Sequence, residues 1–110
     1  MAGEVKHLCL ARFKEGAAVD DVLRGMADLV AAMDTVKSFE WGQDVLKQET
    51  LTQGFTHAFC LTFASADDLA AYMAHERHAA FAATFMAALD KVLVLDFPVV
   101  LAKQPPPPTA

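Results

Sequence analysis

The hydrophobic pattern of this chain switches between a period of two and a period of about 3.6 residues. The order is strand, helix, strand, strand, helix, strand. Val5 to Lys14 (VKHLCLARFK) alternates, with Val5, His7, Cys9, Ala11 and Phe13 on one face and Leu8 and Leu10 on the other. Beyond Gly16, the residues Val22, Leu23, Met26, Leu29, Val30 and Met33 fall at helical spacing, predicting a helix from about Val19 to Met33. Asp20 and Asp21 suit its positive N-terminal end. Val36 to Leu46 reads as a second strand, distorted near Gly42. Gly54 opens a third, Phe55 to Phe63, whose odd positions include His57 and Phe59. Ser65 with Asp68 resembles a capping box and starts a helix running to about Met73. The polar stretch His75-Glu76-Arg77-His78 interrupts it, and Phe81, Phe85 and Leu89 mark a second helical piece. Lys91 to Leu101 is the fourth strand, apolar almost throughout except at Asp96. This order predicts an α+β domain over residues 1–103: a ferredoxin-like β-α-β-β-α-β unit, with a four-stranded antiparallel sheet and helices on one face. Residues 104–110 (QPPPPTA) form a flexible Pro-rich tail.

A sheet covered on one side only should show apolar and polar residues in clean alternation. The first and fourth strands are instead apolar on both faces: Val92 and Val94 oppose Leu93, Leu95 and Phe97. No helix remains to cover the second face, so a second copy of the chain is the economical cover. The 55% hydrophobic content, high for 110 residues, agrees with an apolar subunit interface. A net charge of -5 argues against nucleic acid or an anionic membrane as partner. The sequence carries no export leader and no apolar run long enough to span a bilayer, so the expected location is cytoplasmic. Cys9 and Cys60, far apart in two strands, read as buried small hydrophobes in a reducing compartment.

Five polar residues should gather where the sheet meets its helices: His7, His57, Tyr72, His78 and Asp96. A carboxylate at a buried strand position needs a hydrogen-bonded partner, and a histidine is the natural one. An imidazole oriented by a carboxylate, beside a tyrosine, can move a proton while the phenol steadies a developing oxyanion. Zinc is disfavoured, since His75 and His78 have no further Cys or His ligands at suitable spacing.

The segments VKHLCLARFK, TVKSFEWGQDV, QGFTHAFCLTF, the HxxH of His75 and His78, and DKVLVLDFP together resemble the stress-responsive A/B barrel family of plants. The resemblance spans Val5 to Lys103. It implies a dimeric α+β barrel of two sheets packed face to face, in a small heat-stable protein tied to stress or defence. One branch of that family consists of polyketide cyclases typified by olivetolic acid cyclase, which close a polyketide by cofactor-free intramolecular aldol condensation. On that resemblance His78 is the base, Tyr72 its helper and Asp96 the carboxylate orienting His78. The ligand pocket would comprise His7, His57, Cys9, Ala11, Leu23, Met26, Phe59, Phe81 and Leu89. Glu76 departs from the proline usual between the two histidines. No cofactor is required, although some relatives hold a magnesium ion on main-chain carbonyls that map to Ala27, Val30 and Met33. The leading expectation is a homodimer with a small hydrophobic ligand pocket. The alternatives are a polyketide cyclase-like lyase and, by fold analogy alone, a cofactor-free monooxygenase or haem-handling protein.

Overall fold

A computed structural model describes residues 3–108. The strands β1 (Val5–Phe13), β2 (Val36–Gln43), β3 (His57–Phe63) and β4 (Leu89–Pro98) form one sheet in the order β2-β3-β1-β4, antiparallel at every pairing. The helices are α1 (Val19–Ala31), a single turn α2 (Glu49–Thr52), α3 (Ala66–Ala74) and α4 (Glu76–Ala87). This is the expected α+β, ferredoxin-like arrangement. Met1, Ala2, Thr109 and Ala110, the outer ends of the predicted domain and tail, lie outside the described residues.

Register decides what each face carries. His7 sits between Leu61 of β3 and Asp96 of β4, and Cys9 between Phe59 and Val94. The odd residues of β1 and β3 face the helices and are largely buried, Phe59 and Phe63 completely. Val22, Met26, Leu29, Tyr72 and Phe85 close over them from α1, α3 and α4. On the opposite face, Leu8 pairs with Leu95 and Leu10 with Leu93, flanked by Cys60 and Ala58. Among the described residues nothing covers this face: Leu95 is 55% exposed, and Leu93 and Phe97 are exposed as well.

Several boundaries differ from the sequence expectation. β2 stops at Gln43, leaving Val45 and Leu46 exposed, and its irregularity falls between Val36 and Ser38 rather than at Gly42, which pairs with Ala58. β3 begins at His57, because Phe55 is held in a turn by its N–H bond to the Thr52 carbonyl. His75-Glu76-Arg77-His78 is not a polar linker. His75 alone breaks the helix (φ -71°, ψ 141°), and its Nδ1 accepts from the Arg77 N–H, capping α4. Glu76 to His78 therefore form the first turn of α4. Leu89 belongs to β4, which ends at Pro98. The Ser65 cap is present, its Oγ accepting from the Asp68 N–H.

Candidate functional site

The sharp α3–α4 break sets the site's geometry. Tyr72, two turns into α3, points down onto the sheet and is buried, with its ring 5.2 Å from that of Phe63. His78, in the first turn of α4, brings its ring to 4.8 Å from Tyr72 at an edge-on angle of 62°. His7 approaches from β1 below, 6.3 Å from Tyr72 between ring centres. These three residues border one small, partly open cavity of about 50 Å³, completed by Cys9, Met26, Phe59, Leu61, Phe81, Ala82 and Phe85.

The local environment divides the labour among these groups. Burial pushes the Tyr72 phenol up to about 12, and Cys9 adds to the effect, so Tyr72 is a hydrogen-bond donor throughout the physiological range. Burial likewise pushes the Cys9 thiol up to about 11, which makes it a packing group and not a nucleophile. His78 lies below the ordinary histidine value. Burial is the main cause and the charge of His7 the next, while the Met73 carbonyl pulls the other way. A neutral imidazole beside a protonated phenol is a proton acceptor next to a hydrogen-bond donor.

Asp96 departs from the expectation on two counts. It is not buried: its side chain is 42% exposed, on β4 at the edge of the sheet. Its hydrogen-bonded partner is His7, with Nδ1 2.5 Å from Oδ1, and not His78. Cross-strand register explains this, since His7 and Asp96 are directly opposite on the helix-side face.

The remaining pocket expectations divide. Cys9, Met26, Phe59 and Phe81 line the cavity together with His7, Tyr72 and His78. Ala11, Leu23, His57 and Leu89 do not. His57 occupies the far end of β3, half-buried between Phe13, Phe59 and Trp41, with Thr56 Oγ1 2.8 Å from its Nδ1. Burial lowers its pKa too. Ala11 and Leu89 pack in the core beneath α1 and α4, with Leu23 against them. Leu61, Ala82 and Phe85 were missed, although each was within reach of pattern reading. Leu61 shares the face of Phe59, and 78, 81, 82 and 85 lie on one side of a helix.

The carbonyls expected to hold magnesium lie at the exit of α1. Val30 O accepts from Met33 N–H at 3.2 Å, and Met33 O from Val36 N–H at 3.1 Å. Each carbonyl oxygen keeps a second lone pair, and the last turn of α1 carries no basic side chain. Neutral oxygens at the negative end of a helix are donors that a hard cation accepts. Among the described residues no group of three His, Cys, Asp or Glu gathers elsewhere.

The sequence is 49% identical over 98 residues to the stress-response A/B barrel domain-containing protein At5g22580 of Arabidopsis thaliana, covering 89% of this chain and 88% of that one. It is 29% identical over 96 residues to olivetolic acid cyclase of Cannabis sativa, covering 84% and 94%. The fold superposes on the hydroxynitrile lyase of Passiflora edulis with a TM-score of 0.85 at 25% identity, covering 94% of this chain and 100% of the other. Residues 5–99 match the Stress responsive A/B Barrel Domain. With that match covering most of its length, the chain belongs to the stress-responsive A/B barrel family.

Proposed function

We propose that this protein is a homodimer, joined through the open sheet face, that binds a small apolar ligand by its carbonyl end in the cavity beneath α3 and α4, in a plant stress or defence response. The observation that carries the ligand reading is the convergence of Tyr72, His78 and His7 on one small cavity otherwise lined by apolar groups. Ligand sites characteristically combine an apolar lining with a few convergent polar groups. The cavity is narrow, about 50 Å³, and partly open, which limits what enters. It admits the reacting end of a molecule, not a whole polyketide chain. Butanone serves as the probe. Its addition should shift the ring resonances of Tyr72 and His78 saturably, and a Phe81→Trp variant, which narrows the cavity, should weaken the effect. Shifts confined to exposed residues would refute the site.

A second reading, acid–base catalysis, is favoured by the opposed tuning of Tyr72 and His78. His78 would remove a proton from the carbon beside the carbonyl, and Tyr72 would donate a hydrogen bond to the oxygen as it becomes negative. Enolisation of this kind begins aldol ring closure, and the olivetolic acid cyclase and hydroxynitrile lyase relatives support a lyase-type reaction here. Deuterium incorporation into butanone in D2O tests it: the wild-type protein should accelerate exchange, and His78→Gln should return it to the buffer rate. Equal rates would exclude it.

A further inference from the structure

Asp96 is an acidic residue on an edge strand that is otherwise apolar from Val92 to Phe97, a poor place for it on propensity alone. Its carboxylate is 42% exposed, so stability gives little reason for the pair it forms, since solvent screens a pair with an exposed partner. Its partner, however, is 10% exposed and borders the cavity. The pair therefore runs from the sheet edge to the site.

The ring of His7 has one nitrogen at each side. Nδ1 is engaged by Asp96 at 2.5 Å, and among the described residues Nε2 makes no hydrogen bond. A carboxylate on one ring nitrogen fixes the tautomer and orientation of the other. Nε2 is thus the atom His7 has left for the cavity. His7 lies on the sheet and His78 on α4, so the two imidazoles approach a bound molecule from different elements. Of the two, among the described residues, His7 alone has a carboxylate behind it.

We propose that His7, positioned by Asp96, is the proton donor to the carbonyl oxygen of the ligand, and that His78 acts as base without a carboxylate partner. The proposal rests on the acid–base reading above. The step balances without a cofactor. His78 accepts the proton from the α-carbon, and the electrons of that C–H bond form the C–C double bond of the enol. The carbonyl π electrons move to oxygen, which takes the Nε2 proton of doubly protonated His7. Asp96 stays ionised and keeps Nδ1–H in place. Reketonisation returns a proton to Nε2 and delivers one from His78 to carbon. Tyr72, 6.3 Å from His7 between ring centres, hydrogen-bonds the same oxygen. His7 and Tyr72 touch the ligand in this scheme; Asp96 acts through His7 as a positioning residue.

The test pairs a spectroscopic readout with a kinetic one, using protein labelled with 15N in histidine. In the wild type, long-range 1H–15N spectra of neutral His7 should show the Nδ1–H tautomer. Asp96→Ala should release it to a mixture while leaving the His78 pattern unchanged. Butanone deuteration should fall about 100-fold in His7→Gln, the lower end of what a general acid contributes. Asp96→Ala should fall as well, and the double variant should be no slower than His7→Gln, because the two residues act as one unit. Asp96→Asn, which keeps the shape at an exposed site, guards against misfolding and should lose rate in the same direction. A change at His78 instead of His7 on removing Asp96 would overturn the proposal. So would wild-type exchange rates in the His7 and Asp96 variants when His78→Gln abolishes exchange, an outcome that leaves the acid–base reading intact. Wild-type protein no faster than His78→Gln would instead overturn that reading and the proposal with it.

Discussion

Two histidines give the residue-level expectation for the response to mild acid. Both His57 and His78 have pKa values below the ordinary one, chiefly through burial. The unfolded chain therefore binds more protons than the native state between the folded values and about 6.5. Stability is full above that range and is lost as pH falls through it. The melting temperature should drop on acidification from neutral pH, and a His57→Gln/His78→Gln variant should show a shallower fall. An unchanged slope would mean that other groups carry the effect. Packing gives a second expectation. Phe59 is completely buried among Cys9, Met26 and Phe85, so Phe59→Ala should cost about 3–5 kcal/mol by denaturant titration. A loss under about 1 kcal/mol would contradict the core described here. At this scale the sequence was legible in part. Alternation placed His7, Cys9 and Phe59 on the helix-side face, and helical spacing brought Phe81 near them. The partner of Asp96 was not legible, because it depends on the register of β1 against β4, and nothing local in either strand sets that register.

Among the elements, the α3–α4 corner matters most, because it turns Tyr72 and His78 toward one another. Two local bonds hold it: Ser65 Oγ caps α3, and His75 Nδ1 caps α4. Ser65→Ala should cost about 1 kcal/mol, the usual worth of such a cap, read as a lowered midpoint in urea with an unchanged slope. An unshifted midpoint would show that packing alone fixes the helix. The Ser65 cap was evident from sequence because serine three residues before an acid is a strong local signal. His75 was not, since histidine is an uncommon cap and four consecutive polar residues resemble a solvated loop. The ends of β2 and β3 were misplaced for a related reason: Val45, Leu46 and Phe55 are apolar, yet turn bonds around α2 hold this stretch outside the sheet. The exit of α1 gives a further test. Magnesium on the carbonyls of Ala27, Val30 and Met33 would bind the native state alone and raise the melting temperature, reversibly with EDTA. No shift at saturating magnesium would remove the cation from the account.

At the level of the whole molecule, the two faces of one sheet carry different tasks. The helix-covered face holds the cavity, while the open face carries Leu8, Leu10, Leu93, Leu95 and Phe97, with no cover among the described residues. That division is legible in the sequence, because β1 and β4 are apolar at both odd and even positions. The helix inventory then left one face bare. An exposed apolar surface of this extent is the mark of an interaction site, and a self-complementary patch about a two-fold axis is the commonest way to bury it. Burying it should remove on the order of 1,600 Å² from water in all. Leu95→Asp would place an unpaired charge in that interface and should separate the subunits, while the cavity on the far side keeps its response to butanone. Sedimentation equilibrium at micromolar concentration tests this division of the sheet most directly. The account predicts twice the 11.9 kDa chain mass for the wild type and a single chain mass for Leu95→Asp. A stable wild-type monomer at that concentration would contradict it.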